Sequence, residues 1–299
     1  MDTRRALLVD AFTTEPLTGN AAGVVPDASG LSDEQMQAVA RELSVSETAF
    51  LHPSESADRR IRYFTPTQEV DLCGHATIAA HAHLFEDDVL DAGSHTLETN
   101  VGDLDIELTD DGVVWMTQAE PTVHPVDVDY DRASNALGVP VDSLRAVADD
   151  LPAAVASTGL PFLVLGVDFL DAVGGATPDM SAVAELAEEH DAAGVYLFTF
   201  DTLTAEATLH ARMFAPGAGV PEDPVTGTAS GACGAYLRHV GAFDTLPDEM
   251  QFEQGEFLDR PGRVRVRVGD SVRVGGRAVT ALDGSLVVPE LDSDEILEV

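Results

Sequence analysis

Positively charged side chains are scarce in this chain. Its 299 residues include 16 lysines and arginines against 53 aspartates and glutamates, which gives a formal net charge of −37. Nucleic-acid binding is therefore not expected, because no basic stripe is present to neutralise phosphates. At about molar salt the Debye length falls to roughly 3 Å, so the self-repulsion is screened and adaptation to a salty cytoplasm explains the charge. Recruitment of a basic partner by this acidic surface stays open as an alternative.

Long apolar runs and cysteines are also scarce. No segment approaches the apolar length that a membrane helix needs, and the N-terminus lacks the pattern of a secretion signal, so a cytoplasmic protein without membrane contact is expected. Cys73 and Cys233 cannot form a disulfide framework and lack the C-x-x-C spacing of zinc or redox sites. His75, His81 and His83 form the only histidine cluster, and no carboxylate lies at ligand spacing beside them, so no metal site is predicted.

Two related stretches stand out among the residues that are present. Residues 71–80 (DLCGHATIAA) and 222–231 (EDPVTGTASG) each pass from a polar, turn-prone segment with a glycine into small apolar residues. This pattern is typical of a loop that feeds the N-terminus of a buried helix. An R-x-F-x-P motif precedes each stretch, at Arg62 and Arg212, an offset of 150 residues (212 − 62), and the glycines that open the two predicted helices are 153 apart (227 − 74). We interpret the chain as two copies of one unit, each contributing half of a site.

The coarse order of predicted elements agrees with two copies. Amphipathic helices are predicted after the Ser32 capping box and over 180–189, a short helix over 134–138, and buried helices over 75–85 and 228–239. Strands are predicted over 6–12, 45–51, 61–64, 96–99, 104–108, 113–117, 153–157, 162–167, 194–198, 263–268, 271–274, 279–282 and 286–288. The predicted fold is α+β, with each half wrapping a sheet around one central helix. The first half is placed at 1–119, completed by a C-terminal strand over 279–299, and the second at 120–278.

Glu47 stands between a predicted helix and the strand that follows it. Taken alone, a glutamate here is most simply a solvent-facing residue of an edge strand. The corresponding stretch of the second copy, residues 194–198, carries no acid. An acid-base role would therefore rest with one half of the molecule.

Four blocks of sequence together resemble the phenazine-biosynthesis PhzF-like family, which belongs to the diaminopimelate epimerase-like fold. The blocks are Val9-Asp10-Ala11-Phe12 with Gly19-Asn20, Leu43 to Phe50 with Ser46-Glu47, Cys73-Gly74-His75-Ala76-Thr77, and Glu222 to Ala229. They occur in order at family-like spacing and cover nearly the whole chain. The resemblance implies two pseudo-symmetric, barrel-like halves, each enclosing a central helix, with the active site in the cleft between them. It also implies a homodimer.

The resemblance implies roles for individual residues. Glu47 matches the family's catalytic glutamate, which takes a proton from one carbon and returns it to another. His75, Asp223 and Thr228 match polar residues that orient the substrate and assist proton movement, and Thr228 stands where the phenazine member has serine. Substrate-binding positions are Asn20, Ser46, Cys73, Gly74 and Gly227. The expected substrate is a small carboxylate-bearing metabolite, with no cofactor.

Proton transfer of this kind has clear physical requirements. Removing a proton next to a carbonyl or along a conjugated system needs a base whose pKa is raised by burial and fixed donors for the developing negative charge. Glu47 would supply the base. Backbone N–H groups at Gly74–His75 and Gly227–Thr228, where the two helices begin, would supply the donors.

Two other interpretations stay open beside an isomerase that uses Glu47. One is an epimerase or racemase in which Cys73 pairs with Glu47, and the other is a small-molecule binding protein that kept the fold without the reaction. A racemase with two thiols is not expected, because the repeat offset puts Thr226 opposite Cys73 and Cys233 lies well inside its helix.

Overall fold

A computed structural model describes residues 2–289, and the structural statements below concern that range. The first part of the chain forms β1 (Asp2–Ala11), β2 (Asn20–Val25), α1 (Asp33–Leu43), β3 (Thr48–His52), β4 (Arg59–Phe64), β5 (Glu69–Val70), α2 (Gly74–Glu86), β6 (Gly93–Thr99), β7 (Gly102–Leu108) and β8 (Val114–Thr117). The second part forms β9 (Thr122–Pro125), α3 (Tyr130–Leu137), α4 (Val141–Val147), β10 (Ala154–Ser157), β11 (Pro161–Gly166), α5 (Leu170–Gly174), α6 (Met180–Glu189), β12 (Gly194–Thr199), β13 (Leu209–Ala215), β14 (Val220–Asp223), α7 (Gly227–Val240), β15 (Met250–Gln254), β16 (Gly262–Val268), β17 (Val272–Gly276) and β18 (Ala278–Val288).

The strand pairings confirm two pseudo-symmetric halves of an α+β fold. In the first half β2 pairs parallel with β3, β3 antiparallel with β4, β4 parallel with β6, and β6 to β8 form an antiparallel ribbon. In the second half β11, β12, β13, β15, β16 and β17 repeat the same order and the same directions. An antiparallel pairing of β8 with β17 joins the halves into one continuous sheet.

The sheet of each half is extended by a strand that directly follows the last ribbon strand of the other half. Strand β9, which follows β8, pairs with β10, and strand β18, which follows β17, pairs with β1. The predicted boundary between residues 119 and 120 stays a prediction. Of the predicted closing strand over 279–299, residues 290–299 lie outside the described range.

The two central helices begin at the glycines that the repeat singles out. Residues 76–84 of α2 are all buried, as predicted for a helix surrounded by protein. In α7, a Cβ added to Gly231 would lie 2.9 Å from Val274, and one added to Gly234 would lie 2.6 Å from Val266. The interior glycines of α7 are therefore required by close strand packing, which outweighs their cost in helix propensity.

Helices α1 and α6 hold equivalent places on the outside of the two halves. The predicted capping box at Ser32 is present, and α1 packs Met36 and its neighbours against a small cluster that includes Phe64. Helix α6 packs Val183 and its neighbours against a cluster that includes Phe214. The residues between the sheet and the central helices form the largest apolar cluster, which spans both halves.

Several elements differ from the sequence prediction. The two predicted strands over 279–288 are one strand, β18, whose pairing with β1 shifts register between Leu8 and Val9. The sequence patterns did not indicate β2, β5, β9, β13, β14, β15, α4 or α5. Strand β13 is buried at all seven positions, so it shows no alternation of polar and apolar residues. Across residues 2–289, no helix combines the length and the apolar character needed to cross a membrane.

Candidate active site

Glu47 lies in the connection between α1 and β3, one residue before the strand. Helix α1 ends where Ser44 takes a left-handed conformation (φ 55°) and donates its N–H to the Ala40 carbonyl. The Glu47 carbonyl then accepts a hydrogen bond of 3.0 Å from the Gly23 N–H on β2, which fixes the backbone beside the parallel β2–β3 pair. The Glu47 side chain is 22% exposed, so it is neither a core residue nor a free surface acid.

The N-terminus of α2 brings His75 against Glu47. His75 Nε2 lies 3.5 Å from Glu47 Oε2 and 3.3 Å from Ser46 Oγ. The other ring nitrogen, Nδ1, lies 3.4 Å from Cys73 Sγ. Four of the predicted site residues, which come from two separate segments of the first half, are therefore in mutual contact.

The N-terminus of α7 presents Asp223, and its carboxylate is held from both halves. Asn20 Nδ2 donates to Asp223 Oδ1 at 2.8 Å and to the Val225 carbonyl at 2.9 Å, while the Thr226 hydroxyl donates to Asp223 Oδ2. Gln254 on β15 accepts from the Thr226 N–H at 3.2 Å and donates to the Asp223 carbonyl at 2.8 Å. Asn20, which was predicted as a substrate-binding residue, therefore also holds the Asp223 carboxylate in position.

The starts of α2 and α7 face each other. A Cβ added to Gly74 at the start of α2 would lie 3.9 Å from Oγ1 of Thr228 at the start of α7. The two helix starts are therefore almost in van der Waals contact. Among the described residues, the N-cap side chains of Cys73 and Thr226 make no capping hydrogen bond to their helices. The first-turn N–H groups of a helix have no intrahelical acceptor and carry partial positive charge, so this junction suits an anionic group.

Burial shifts the acid-base properties of two groups in the cleft. Burial raises the pKa of the Asp223 carboxyl above its usual value; the charge of His75 and hydrogen bonds from Thr226 and Asn20 oppose this, and the nearby charge of Glu47 adds to it. Burial also raises the pKa of the Cys73 thiol, followed by the charge of Glu47. The Cys73 side chain is therefore held as a neutral thiol.

All nine site residues that the sequence indicates lie around this junction of helix starts. On the first-half side are Ser46, Glu47, Cys73, Gly74 and His75, and on the second-half side, with Asn20 reaching across, are Asp223, Gly227 and Thr228. Their individual roles stay predictions. Thr226 and Gln254 were not predicted as site residues. Thr226 had a signal, its repeat equivalence to Cys73, whereas nothing in the sequence indicates Gln254.

Two groups of side chains within the described range have a geometry that suits a metal ion, although no metal site was predicted. One is Glu47, Cys73 and His75, and the other is His210, Glu253 and Glu256. Sequence spacing could not show the first group, because its carboxylate comes from a distant segment. The other two members of the predicted histidine cluster bind elsewhere: His81 Nδ1 lies 2.8 Å from the Thr77 carbonyl and His83 Nδ1 lies 3.4 Å from Thr280 Oγ1.

Comparison with known proteins gives similarities that run the length of the chain. The family model described as "Phenazine biosynthesis-like protein" (PhzC-PhzF) matches residues 9–284. The "Uncharacterized isomerase YfhB" of Bacillus subtilis is 35% identical over 295 residues, covering 97% of this chain and 98% of the relative. The "Trans-2,3-dihydro-3-hydroxyanthranilate isomerase" of Pseudomonas aeruginosa is 31% identical over 289 residues, covering 94% and 95%. A crystal structure of the Bacillus anthracis "phenazine biosynthesis protein, PhzF family" superposes with a TM-score of 0.87 at 33% identity, covering 96% of this chain and 100% of that one.

Proposed function

This chain is an isomerase of the phenazine biosynthesis-like (PhzF) family, and we propose that it moves a proton within a small carboxylate-bearing metabolite, with Glu47 as the general acid and base. The substrate binds at the junction where α2 and α7 begin. Glu47 approaches from the first half, and the polar groups of α7 approach from the second. The reaction needs no redox cofactor, because it leaves the oxidation state of the molecule unchanged.

The main support for this proposal is that the two acids in the cleft differ in their hydrogen bonding and in their exposure. Both oxygens of Asp223 already accept hydrogen bonds, from Asn20 and from Thr226. The Glu47 carboxylate faces the His75 ring at 3.5 Å and is partly exposed to the cleft. Glu47 is therefore the carboxylate that can approach a substrate carbon, and His75 is the group that orients it.

The proposed reaction breaks one C–H bond and forms another. A Glu47 oxygen takes a proton from a carbon next to an unsaturated group, and the electron pair of that C–H bond moves into the conjugated system. First-turn N–H groups at Gly74 and Gly227 hold the substrate carboxylate or the developing oxyanion. The Glu47 carboxyl then returns the proton to a second carbon, so the double bond shifts and the enzyme is restored. Thr228, beside Gly74, orients the substrate with its hydroxyl.

An epimerase that uses Cys73 is the second candidate. Its supporting observation is the 3.4 Å distance between Cys73 Sγ and His75 Nδ1. Burial raises the pKa of this thiol, and the equivalent position on α7 is Thr226, so no second thiol faces the cleft from the other side. Cys233 is fully buried in α7. Full activity of Cys73→Ala would remove this candidate.

Proton NMR in deuterated, high-salt buffer tests the lead proposal directly. Trans-2,3-dihydro-3-hydroxyanthranilate, the compound in the name of the Pseudomonas aeruginosa relative, is the first substrate to try, followed by small amino and hydroxy carboxylates. We expect a shifted double bond or deuterium uptake in one compound, and a rate about 10²- to 10⁴-fold lower in Glu47→Gln. Glu42→Gln, which changes an exposed glutamate of α1, is the matched control and should keep the full rate.

Two outcomes of this experiment would count against the proposal. An unchanged rate in Glu47→Gln would show that another group moves the proton. Ligand-induced shifts of the protein without exchange in any compound would instead favour a binding protein of the same fold.

A further inference from the structure

We propose that Glu47, Cys73 and His75 also form a binding site for a thiophilic divalent cation, with Zn²⁺ as the best fit, and that zinc bound there blocks the enzyme. Binding follows from the arrangement of the three side chains alone. The block on turnover rests on the proposed function, because it supposes that Glu47 and His75 act on the substrate.

The spacing of the three ligand atoms is close to that of a zinc site. With Zn–S near 2.3 Å and Zn–N and Zn–O near 2.0–2.2 Å, ligand atoms of a tetrahedral site are separated by about 3.4–3.6 Å. His75 Nε2 lies 3.5 Å from Glu47 Oε2 and 3.9 Å from Cys73 Sγ. One ligand atom from each of the three residues lies within 4.8 Å of the others. Shortening the Cys73–His75 separation by about 0.3 Å, and the Glu47–Cys73 separation, which is within 4.8 Å, by up to about 1.2 Å, would complete three corners of a tetrahedron, and side-chain rotation allows both movements.

The backbone already holds these ligands near their places. Cys73 is the N-cap of α2 in an extended conformation (φ −141°), and His75 is the second residue of the helix. Glu47 is tied to β2 through its carbonyl. Little side-chain freedom would be lost on binding, and the positive end of α2 favours the thiolate form of Cys73 once the metal has displaced the thiol proton to solvent. The fourth corner would be taken by water, as in zinc sites with three protein ligands.

The other group of candidate ligands fits zinc less well. Glu253 already accepts hydrogen bonds from the Leu203 N–H and from the N–H and hydroxyl of Thr204. The two ring nitrogens of His210 face different glutamates, with Nδ1 3.3 Å from Glu253 and Nε2 3.7 Å from Glu256. A metal on Nε2 would therefore gain one carboxylate ligand there and no sulfur, whereas the Cys73 group offers a soft ligand of the kind that selects zinc.

Zinc at the Cys73 group would occupy the groups that the proposed reaction needs. The Glu47 carboxylate would be a metal ligand and unable to take a proton from carbon, and His75 would lose its free ring nitrogen. Without the thiol, this chain would keep a carboxylate and an imidazole, which form a weaker zinc site. Sensitivity to zinc is therefore a property that Cys73 adds to this chain.

Competition with a chromophoric chelator tests the binding on the metal-free protein, and Co²⁺ serves as a spectroscopic substitute for zinc. The many surface carboxylates bind zinc weakly and lose it to the chelator. A specific site is shown when one equivalent of zinc stays on the protein in the presence of the chelator. We expect that site in the wild-type chain, together with a thiolate-to-cobalt charge-transfer band. Cys73→Ser should weaken zinc binding by at least the roughly 10- to 100-fold that loss of an outer-sphere partner costs. Cys233→Ala, which removes the other thiol, is the matched control and should bind zinc as the wild type does.

The outcomes separate this inference from the proposed function. Equal zinc affinity in Cys73→Ser, loss of tight binding in Cys233→Ala, or a cobalt complex without a thiolate band would each overturn the inference. Tight zinc binding in a chain that isomerises nothing would leave the site standing and count against the proposed function. Turnover that zinc at one equivalent does not slow would leave the proposed function standing and overturn the inferred block.

Discussion

The entrances of α2 and α7 occupy equivalent places in the two halves, and they carry different chemistry. Before α2, Arg62 pairs with Glu69 through two hydrogen bonds, of 2.7 and 2.6 Å, and lies 5.2 Å over a phenylalanine ring. Before α7, Arg212 pairs with Glu222 at 2.7 and 2.8 Å and lies 5.0 Å over a phenylalanine ring. The scaffold of the repeat is thus preserved on both sides.

The difference lies in the side chains that the two scaffolds hold. The first entrance collects titratable groups from two segments, Glu47 and the Cys73–His75 turn, and leaves them facing the cleft. The second entrance ties its acid, Asp223, into hydrogen bonds with Asn20 and Thr226. A duplicated fold can therefore keep its symmetry in the backbone and in structural ion pairs while the two halves place different polar side chains in the cleft.

The largest difference in stability between the two entrances should appear when their arginines are replaced. The Arg212 side chain is 9% exposed and also donates to the carbonyls of Val173 and Ala176, whereas the Arg62 side chain is 18% exposed and its partner Glu69 is 30% exposed. We expect Arg212→Ala to lower the free energy of unfolding by about 3–5 kcal/mol, because it leaves Glu222, whose side chain is only 11% exposed, without its charge partner. Arg62→Ala should cost about 1 kcal/mol.

Denaturant unfolding at one fixed, high salt concentration measures both arginine variants on the same scale. Salt screens exposed ion pairs more than buried ones. Repeating the measurement at a higher salt concentration should therefore increase the difference in unfolding free energy between the two variants. Equal losses would mean that the two ion pairs are energetically equivalent despite their different burial.

A smaller contrast is expected between the glycines that open the helices. A Cβ at Gly227 would lie 2.9 Å from the Phe12 ring and 3.2 Å from Val274, whereas the nearest atom to a Cβ at Gly74 is 3.9 Å away. Phe12 is 2% exposed, so a methyl group at Gly227 would press against a packed ring. Gly227→Ala should therefore destabilise the protein by about 1–3 kcal/mol through overpacking. Gly74→Ala should leave stability unchanged or raise it by up to about 1 kcal/mol.

Thermal unfolding of the two alanine variants checks this contrast, and a double variant sharpens it. If the ring is the obstacle, Gly227→Ala should cost less stability in a Phe12→Leu background than it does in the wild type. A Gly227→Ala protein as stable as the wild type would show that the entrance of α7 can shift to admit a methyl group.

The smallest effect concerns the pH dependence of stability, and it should be found on the α7 side. Because burial raises the folded-state pKa of Asp223 above its ordinary value of 3.8, the native state binds a proton more tightly than the unfolded state does. The contribution of Asp223 to stability is therefore greatest below pH 3.8 and falls as pH rises through the raised pKa. In Asp223→Asn the amide oxygen can still accept from Asn20, and the amide nitrogen can donate to the Thr226 hydroxyl with the direction of that bond reversed, so the variant should keep the contacts and remove this fall.

The comparison to make is the difference in unfolding free energy between wild type and Asp223→Asn, followed from pH 3 to pH 7. Taking the difference cancels the titration of the other carboxylates. As pH rises from 3.8 to the raised pKa of Asp223, the variant should become more stable relative to the wild type, by at most about 1.4 kcal/mol for each pH unit. A difference that is constant with pH would mean that Asp223 ionises as readily in the fold as in the unfolded chain.

Much of the fold could be predicted, because its signals are local. The Ser32 capping box, the periodic apolar residues of α6 and the glycines that open α2 and α7 each act within a few residues of themselves, and the structure confirms all of these helices. Strand β13 carries no such signal, because it is buried on both faces and lacks alternation. Strand β15 was missed as well. Its Glu253 and Gln254 are polar yet buried, since they bind residues that are distant in sequence.

The amino-acid sequence by itself determined that this chain is a duplicated unit, that a glycine opens each central helix, and that Glu47 exists in one copy only. These properties depend on composition, on spacing and on interactions between near neighbours in the chain. Tertiary structure alone decided that Glu47 meets His75 and Cys73, that Asn20 of one half holds Asp223 of the other, and that Arg212 is more deeply buried than Arg62. Such contacts join residues tens to hundreds of positions apart, so they depend on how the elements pack in space and not on interactions between near neighbours in the chain.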